Sequence, residues 1–572
     1  MFSPSLLHPW FRDLSTGNPA ADVKRSVRSC GLIPAYLRVS KLSRIERELL
    51  LQQTGGTSGE SWDRGSMVNR AISVMTAVRT RPQDFAWWGI GLLLGIGTVV
   101  RVPQLFHSLN EAHAFRQTQT AFVAKKYAQD GINLLITPLP VFGSGSDVPM
   151  EFPLFQAVVS ITSHLGLSID FSARLIALVA FQMTALLLAM ILLRWHGRAV
   201  AVLAVGLFEV IPFGLLWGAA SLIDFFAVAL SLGMIYCLDR WLSGSSVALL
   251  LVGSVAGMLA YLVKATTAPV WSLLLLVPVS MALVRVGWRA SWKRVVIALA
   301  AGPGLGLVCA VGWTLYADSV KKSEPLTAFL TSSSLRGWNF GTTAQRLDPS
   351  TYSAILERVG GEIAGPGLVL LWVGVVAVIF LRSTTQRIAM CGWFLVIASG
   401  PLVFINLYYV HSYYLIAIYP AIIAAMAVGI VWTARLLPAV RWQRVAFAIV
   451  AVTAIFVGFL LSSGARYDVH LFRHGQPLPA ASADIRQGTP PGSRIIMVGC
   501  DWSPNYLYNA DREGIMFIFP DPGSVWESKN IADYPYAYSC DTKLSPDRWL
   551  PDGYSSVSTD TLGLYRVVRN NS

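Results

Sequence analysis

The chain has 572 residues, of which 54% are hydrophobic and only 13% charged, and its mean hydropathy is +0.53. Soluble domains carry about 25% charged residues, so the deficit specifies an integral membrane protein. It excludes a disordered chain, a nucleic-acid-binding domain and a disulfide-stapled miniprotein, and the net charge of +13 is assigned to basic residues that hold helix ends on the cytoplasmic side.

Residues 1–84 are polar, with Pro, Gly and Ser scattered through them and no apolar core of a signal peptide. They read as a cytoplasmic tail. A surface-lying helix over 36–50, with Leu37, Ile45 and Leu49 among basic residues, is the less favoured alternative. Met67 or Met75 is an alternative start. From 85 to 463 the chain reads as a transmembrane domain, with apolar runs of about 20 residues, the length a bilayer core demands. Eleven spans are predicted, at 86–105, 171–193, 199–217, 220–238, 246–263, 266–284, 295–316, 365–381, 388–408, 412–434 and 443–463. The short run 154–167 carries Ser, Thr and His and is expected to lie on the membrane surface.

With the N-terminus in the cytoplasm, the short inner loops carry twelve Arg and Lys residues, from Arg194 to Arg444, and the short outer turns carry one, Lys264. That asymmetry sets the expected orientation. Three long segments then face outward: 106–170, 317–364 and 464–572. The last is expected to fold as a small α/β domain, with strands at Arg494–Val498, Ile515–Phe519 and Gly563–Val568. Cys500 and Cys540 are the two cysteines placed in the oxidising compartment and are expected to pair. Cys30 lies in the tail, while Cys237, Cys309 and Cys391 sit in apolar runs as packing residues. No CxxC occurs, which removes support for a zinc or thioredoxin-type site.

The first outer segment is the richest in chemistry. Asn110, Glu111, His113, Arg116 and Gln117 crowd together at a membrane exit, and Glu151 follows in Val148-Pro149-Met150-Glu151-Phe152-Pro153-Leu154. If 111–128 is helical, Glu111 shares a face with Phe115 and Thr118, and His113 with Arg116 and Gln117. A hydrated loop with ordinary surface charges is the plain alternative. The density of acid, imidazole, guanidinium and amide groups beside an apolar wall favours a polar site.

The pattern Asn-Glu-x-His-x-Phe-Arg-Gln-Thr-Gln-Thr, then Glu-Phe-Pro-Leu, then Ile169-Asp170-Phe-x-x-Arg174 resembles the GT-C type membrane glycosyltransferases. More narrowly it is similar to glycosyltransferase family 39, akin to protein O-mannosyltransferases and the aminoarabinose lipid A transferase, over roughly 86–463. The resemblance implies a polytopic α-helical membrane protein with a small external domain, which takes a sugar from a polyprenyl-phosphate carrier and attaches it to a lipid, glycan or protein acceptor outside the membrane, with inversion. It also implies a bacterial inner membrane. Relatives usually carry an Asp-Glu pair in the first outer loop, with the aspartate as base. Here the pair reads Asn110-Glu111, so the base role falls to Glu111, with Glu151 second.

The chemistry asks for the same residue types independently. A hydroxyl acceptor needs a carboxylate to take its proton, and a departing phosphate needs cations or donors to hold its charge. Arg116, Arg174, Lys264 and His411 are the candidates. The alternatives are snorkelling for Lys264 and interfacial anchoring for Arg174. Asp224, near the outer end of the fourth span, is expected to organise Lys264 or Arg174. Tyr413 contributes a sugar contact or belongs to an aromatic belt, and Trp338 with Asn339 suits a sugar face and its hydroxyls. Asn110, His113 and Gln117 complete the expected substrate contacts. No cofactor is expected; a divalent metal stays open, although the spacing of acids and histidines matches no ligand set. The glycines at 302, 304 and 306 favour close helix packing over a phosphate loop, and a glycoside hydrolase fits the membrane setting less well than a lipid-phosphate donor. The competing classes are a transporter or flippase of lipid-linked saccharide, which would place ionisable groups at mid-membrane, and a non-catalytic scaffold.

A chain truncated to begin at Met67 is expected to insert into membranes as the full chain does, because 1–66 holds neither a span nor a candidate site residue. Membrane fractionation of the truncated chain checks this, and loss of insertion contradicts it.

Overall fold

The computed structural model describes residues 85–437, 440–517, 523–541 and 543–570. The tail, with its expected helix over 36–50, lies outside them. Among the described residues, nine helices are long and apolar enough to cross a membrane: Phe85–Phe106, Ile169–Trp195, Asp224–Gly244, Ala268–Val286, Trp288–Lys322, Pro349–Phe380, Thr384–Val403, Tyr419–Leu436 and Trp442–Phe459. Two of the eleven expected spans fall short of that length. Val247–Val263 has 17 residues. The run 199–217 is broken into Arg198–Val210 and Pro212–Trp217, with Ile211 extended at ψ 133° between them. Pro212 is the cause: it has no N–H to continue the ladder, and its ring disfavours helical geometry in the residue before it. The segment 154–167 forms a ten-residue helix, Leu154–Ser163, too short to span.

A break inside a bundle exposes carbonyls that water cannot reach, so protein donors must meet them. Here a fully buried arginine does so. Arg101, at the end of the first helix, donates to the carbonyls of Glu209 and Gly214 at 3.0 Å each and to the Glu209 carboxylate at 2.7 Å. The Tyr419 hydroxyl donates to the carbonyl of Phe208 at 2.7 Å. Two glycines make room for this staple. A Cβ at Gly97 would stand 1.9 Å from Glu209 Oε2, and one at Gly218 would stand 2.6 Å from Arg101 Nε.

The C-terminal residues form a five-stranded sheet in the order β2-β1-β3-β5-β4, where β1 is Arg494–Val498, β2 Glu513–Phe517, β3 Tyr536–Ser539, β4 Tyr554–Ser558 and β5 Leu564–Arg569. β1 runs parallel to β2 and β3, while β5 is antiparallel to β3 and β4. Ile495 to Val498 are all buried, the mark of a central strand covered on both faces. The free edge of β2 is closed by the first loop. Gly143 N donates to Gly514 O at 2.8 Å, Gly514 N to Pro140 O at 2.9 Å and Met516 N to Val141 O at 2.9 Å. Ion pairs from Lys125 to Asp511 and from Lys126 to Glu513 hold the adjoining helix to the same edge. The sheet and the loop therefore pack as one body at one end of the helical bundle.

Cys500 and Cys540 are disulfide-bonded, 40 residues apart, and tie the chain after β1 to the chain after β3. In the chain-entropy description a loop of this length contributes about 4 kcal/mol. Cys500→Ser is expected to destabilise the sheet by that order and leave the bundle folded. Proteolysis of the full chain in detergent, with and without denaturant, checks it; unchanged protection of β1 to β3 contradicts it.

Candidate functional site

The first loop turns sharply at His113, a non-glycine residue in the left-handed region at φ 53° and ψ 45°. Such a conformation costs on the order of 1 kcal/mol and tends to persist where surroundings demand it. From this turn springs the helix Ala114–Asp130. Two cavities meet here, and His113 lines both.

The larger cavity has a volume of about 670 Å³. Arg116, one turn into the helix, reaches Glu151 at 2.5 Å and Gln119 at 2.7 Å. Lys264, at the end of the helix Val247–Val263, binds Asp224 at 2.6 Å. Its ammonium lies 5.5 and 5.1 Å from the ring centres of Tyr413 and Tyr414, within cation–π range. Both members of the pair are buried, and Asp224 opens the helix Asp224–Gly244, where a carboxylate also meets the positive end of the helix dipole. The His411 ring stands 4.8 Å from His113, 5.8 Å from Trp338 and 5.5 Å from Tyr413, so these four rings form one aromatic wall. Trp502 closes the cavity from the C-terminal domain and packs edge-on against Phe115 at 4.5 Å.

Electrostatics sorts these groups. Burial alone would raise Glu151, but the nearby Arg116 and Lys264 outweigh it and hold this carboxyl below its ordinary range. Arg116 is burdened by burial and raised overall by Glu151. Burial lowers His113 to about 4, with His411 and Arg358 adding to the effect, and His411 is lowered by burial, Arg116 and Arg358. At neutral pH the two imidazoles are therefore neutral hydrogen-bonding groups.

The smaller cavity, about 360 Å³, is lined by Glu111, His113, Trp217, Glu362, Tyr467 and Asp468 among others. Glu111 is 1% exposed. Its Oε2 accepts from Arg174 and Gln104, at 3.2 Å each. Its Oε1 accepts no hydrogen bond, with His107 Nδ1 3.5 Å away. One oxygen of this carboxylate is thus clamped and the other is left with open lone pairs.

The remaining predicted contacts lie elsewhere. Arg174 lines neither cavity. It is fully buried, and its Nε, Nη1 and Nη2 donate to the carbonyls of His107, Ala219 and Ser108 as well as to Glu111. An arginine so occupied positions Glu111 and has no free fork to offer a phosphate. Gln117 is also buried: its amide oxygen accepts from Ser221 N at 3.0 Å and its nitrogen donates to Ala112 O at 3.0 Å. Asn110 faces the C-terminal domain, where Asn509 donates to its side chain at 3.1 Å and Gln476 N donates to its carbonyl at 2.6 Å. Asp468, Glu362, Trp217 and Trp502 line the cavities and were not singled out from the sequence. The sequence carries a signal for Asp468: it is an acid nearly two turns past a serine cap in the amphipathic helix Ser463–His474 that follows the last apolar run. Among the described residues no three His, Cys, Asp or Glu side chains are arranged to hold a metal ion.

No protein-family model matches the chain, and no curated protein does. Solved structures do match. The chain is similar to ArnT from Cupriavidus metallidurans bound to undecaprenyl phosphate, over 84% of this chain and 97% of that one, with a TM-score of 0.55 and 17% identity. ArnT in the apo state matches over 85% and 98%, with a TM-score of 0.53 and 17% identity. The archaeal oligosaccharyltransferase AglB from Archaeoglobus fulgidus, in complex with an inhibitory peptide and a dolichol-phosphate, matches over 81% of this chain and 70% of its own, with a TM-score of 0.52 and 13% identity. What these proteins share at such identity is architecture: the chain has the polytopic GT-C fold of membrane glycosyltransferases, with a small α/β domain after the last helix.

Proposed function

We propose that this protein transfers a sugar from a polyprenyl-phosphate-linked donor to an acceptor hydroxyl, with inversion, at the outer face of a membrane. The observation that carries the reading is the meeting of two cavities at His113, one walled by aromatic rings with Lys264 and Arg116, the other holding the open oxygen of Glu111. The solved ArnT and AglB structures carry undecaprenyl phosphate and dolichol-phosphate, which favours the same class of donor here. The excess of basic residues on the opposite loops favours the outer side for this face, and a bacterial inner membrane is the compartment the resemblance implies.

In this reading the donor phosphate enters the larger cavity. Lys264 supplies a point charge and Arg116 a guanidinium fork. The sugar lies against Trp338, His411 and Tyr413, where neutral imidazoles serve hydroxyls without repelling the cations. The acceptor occupies the smaller cavity. Its oxygen attacks C1 of the sugar from the face opposite the phosphate while its proton passes to Glu111 Oε1. The new C1–O bond forms as the bond from C1 to the phosphate oxygen breaks, and the electron pair leaves with the phosphate. Clamping of Oε2 by Arg174 and Gln104 fixes which oxygen faces the acceptor. Glu151, kept charged by Arg116, orients that arginine and is the second candidate for the base.

The decisive experiment is a transfer assay with the purified full chain and a panel of polyprenyl-phosphate sugars. Glu111→Gln keeps size and removes basicity, so turnover is expected to fall about 10²–10⁴-fold while donor binding survives; near-full turnover contradicts the assignment, and Glu151→Gln then tests the alternative. For the cation, Lys264→Ala alone would leave Asp224 buried without its partner, a loss typically of about 3–5 kcal/mol. The paired variant Lys264→Met with Asp224→Asn removes both charges. It is expected to fold and to bind donor at least about tenfold more weakly; unchanged donor affinity in the folded pair contradicts the phosphate role.

A further inference from the structure

The smaller cavity has a chemical character that the transfer reaction alone does not require. Three buried polar atoms on its lining residues lack any hydrogen-bond partner: Glu111 Oε1, Asp468 Oδ2 and Trp217 Nε1. The three residues are 1%, 7% and 2% exposed. Leaving such atoms dry typically costs about 1–3 kcal/mol each, and native structures rarely tolerate several in one place. Their convergence marks a place that a polar ligand fills. Two are acceptors and one is a donor, so the ligand must offer both hydrogen-bonding senses.

The charge is equally one-sided. Glu111, Glu362 and Asp468 line the cavity, and no lysine or arginine does. Arg174 neutralises Glu111 from behind. Glu362 has only Arg358 at 3.9 Å, and that guanidinium also serves the carbonyls of Tyr408 and Tyr409. Asp468 has no cationic partner among the described residues, and burial, with Glu362 adding to it, pushes its carboxyl up to about 8. His113 is neutral at pH 7 and does not offset the acids. A phosphate-bearing acceptor would meet repulsion here. Asp468 by itself is largely protonated at neutral pH. An ammonium beside it and Glu362 would favour loss of that proton and supply the missing counter-charge, with the rings of Trp217 and Tyr467 close by.

We infer that the smaller cavity selects an acceptor bearing both a hydroxyl and an ammonium group, a hydroxylated amine, with the ammonium against Asp468 and Glu362 and the hydroxyl at Glu111. This assignment rests on the transfer reading for the role of the bound molecule, but the cavity's preference is measured without any donor. Three matched probes are titrated into the detergent-purified full chain by calorimetry: D-glucamine, its uncharged counterpart D-glucitol, and D-glucitol 6-phosphate. Glucamine is expected to bind at least about tenfold more tightly than glucitol, the fold-change of one charge-assisted contact, and the phosphate is expected to bind most weakly. Asp468→Asn, nearly isosteric, is expected to erase the glucamine preference and keep glucitol binding. Should that variant misfold, Glu362→Gln must reduce the preference, and the comparison of probes on the wild-type chain stands by itself. Equal binding of glucamine and glucitol, tighter binding of the phosphate, or no binding of glucamine overturns the inference. Glucamine binding together with an inactive transfer assay would instead defeat the reaction and leave the cavity's selectivity in place.

Discussion

Between Val210 and Asp224 the helix breaks at Ile211 and again after Trp217 inside a helical bundle, and the backbone groups uncovered must find partners within the protein. This constraint organises the whole site. Arg101 answers at Glu209 and Gly214, Gln104 at the carbonyl of Leu216, Arg174 at that of Ala219, and Gln117 at the amide of Ser221. Four side chains from the first helix, the first loop and the second helix thereby lock onto one buried segment. The same segment ends in Asp224, the partner of Lys264, and presents Trp217 to the smaller cavity. Residues that read as substrate contacts from their polarity, such as Gln117 and Arg174, are polar because the break in the helix needs them.

Rigidity and charge then act together. The acids and bases of the larger cavity are held in pairs, Arg116 with Glu151 and Lys264 with Asp224. Each pair is fixed by packing before any ligand arrives, and the aromatic wall limits the water that would otherwise screen it. The arrangement is preorganised, which is how fixed charges contribute most to a reaction that moves charge. The smaller cavity is the opposite, a place where polar groups are left waiting.

Much of this was legible in the chain. The apolar runs gave nearly all the long helices because twenty uncharged residues have few other fates. Glu111, His113 and Arg116 stood out because they gather within a few residues at a membrane exit, and the structure places them around adjoining cavities. Other features depend on distant partners. The break at Ile211 is hidden in the sequence because hydropathy is unbroken across it, although Pro212 carries the warning. Strands β3 and β4 escaped notice because Tyr-Ala-Tyr-Ser and Tyr-Ser-Ser-Val-Ser are short and only partly apolar; tertiary pairing defines them. Asn110 shows the limit most clearly. Nothing local tells that its amide meets Asn509, some four hundred residues away.

The edge of the C-terminal sheet has a temporal meaning. Pro140 to Gly143 leave the ribosome several hundred residues before β2, with which they pair. Domains fold largely as they appear, so this loop waits through the insertion of all later helices before its partner exists. Both cavities are walled in part by the two ends of that wait, by Phe115 and Trp502 in one and by Glu111 and Asp468 in the other. A nascent chain therefore holds the first loop's charges without the cavities they line, and a cavity closes only once Asp468 or Trp502 has been made. The fold thus defers assembly of either cavity until the residues after the last long helix, which supply Asp468 and Trp502, have been made.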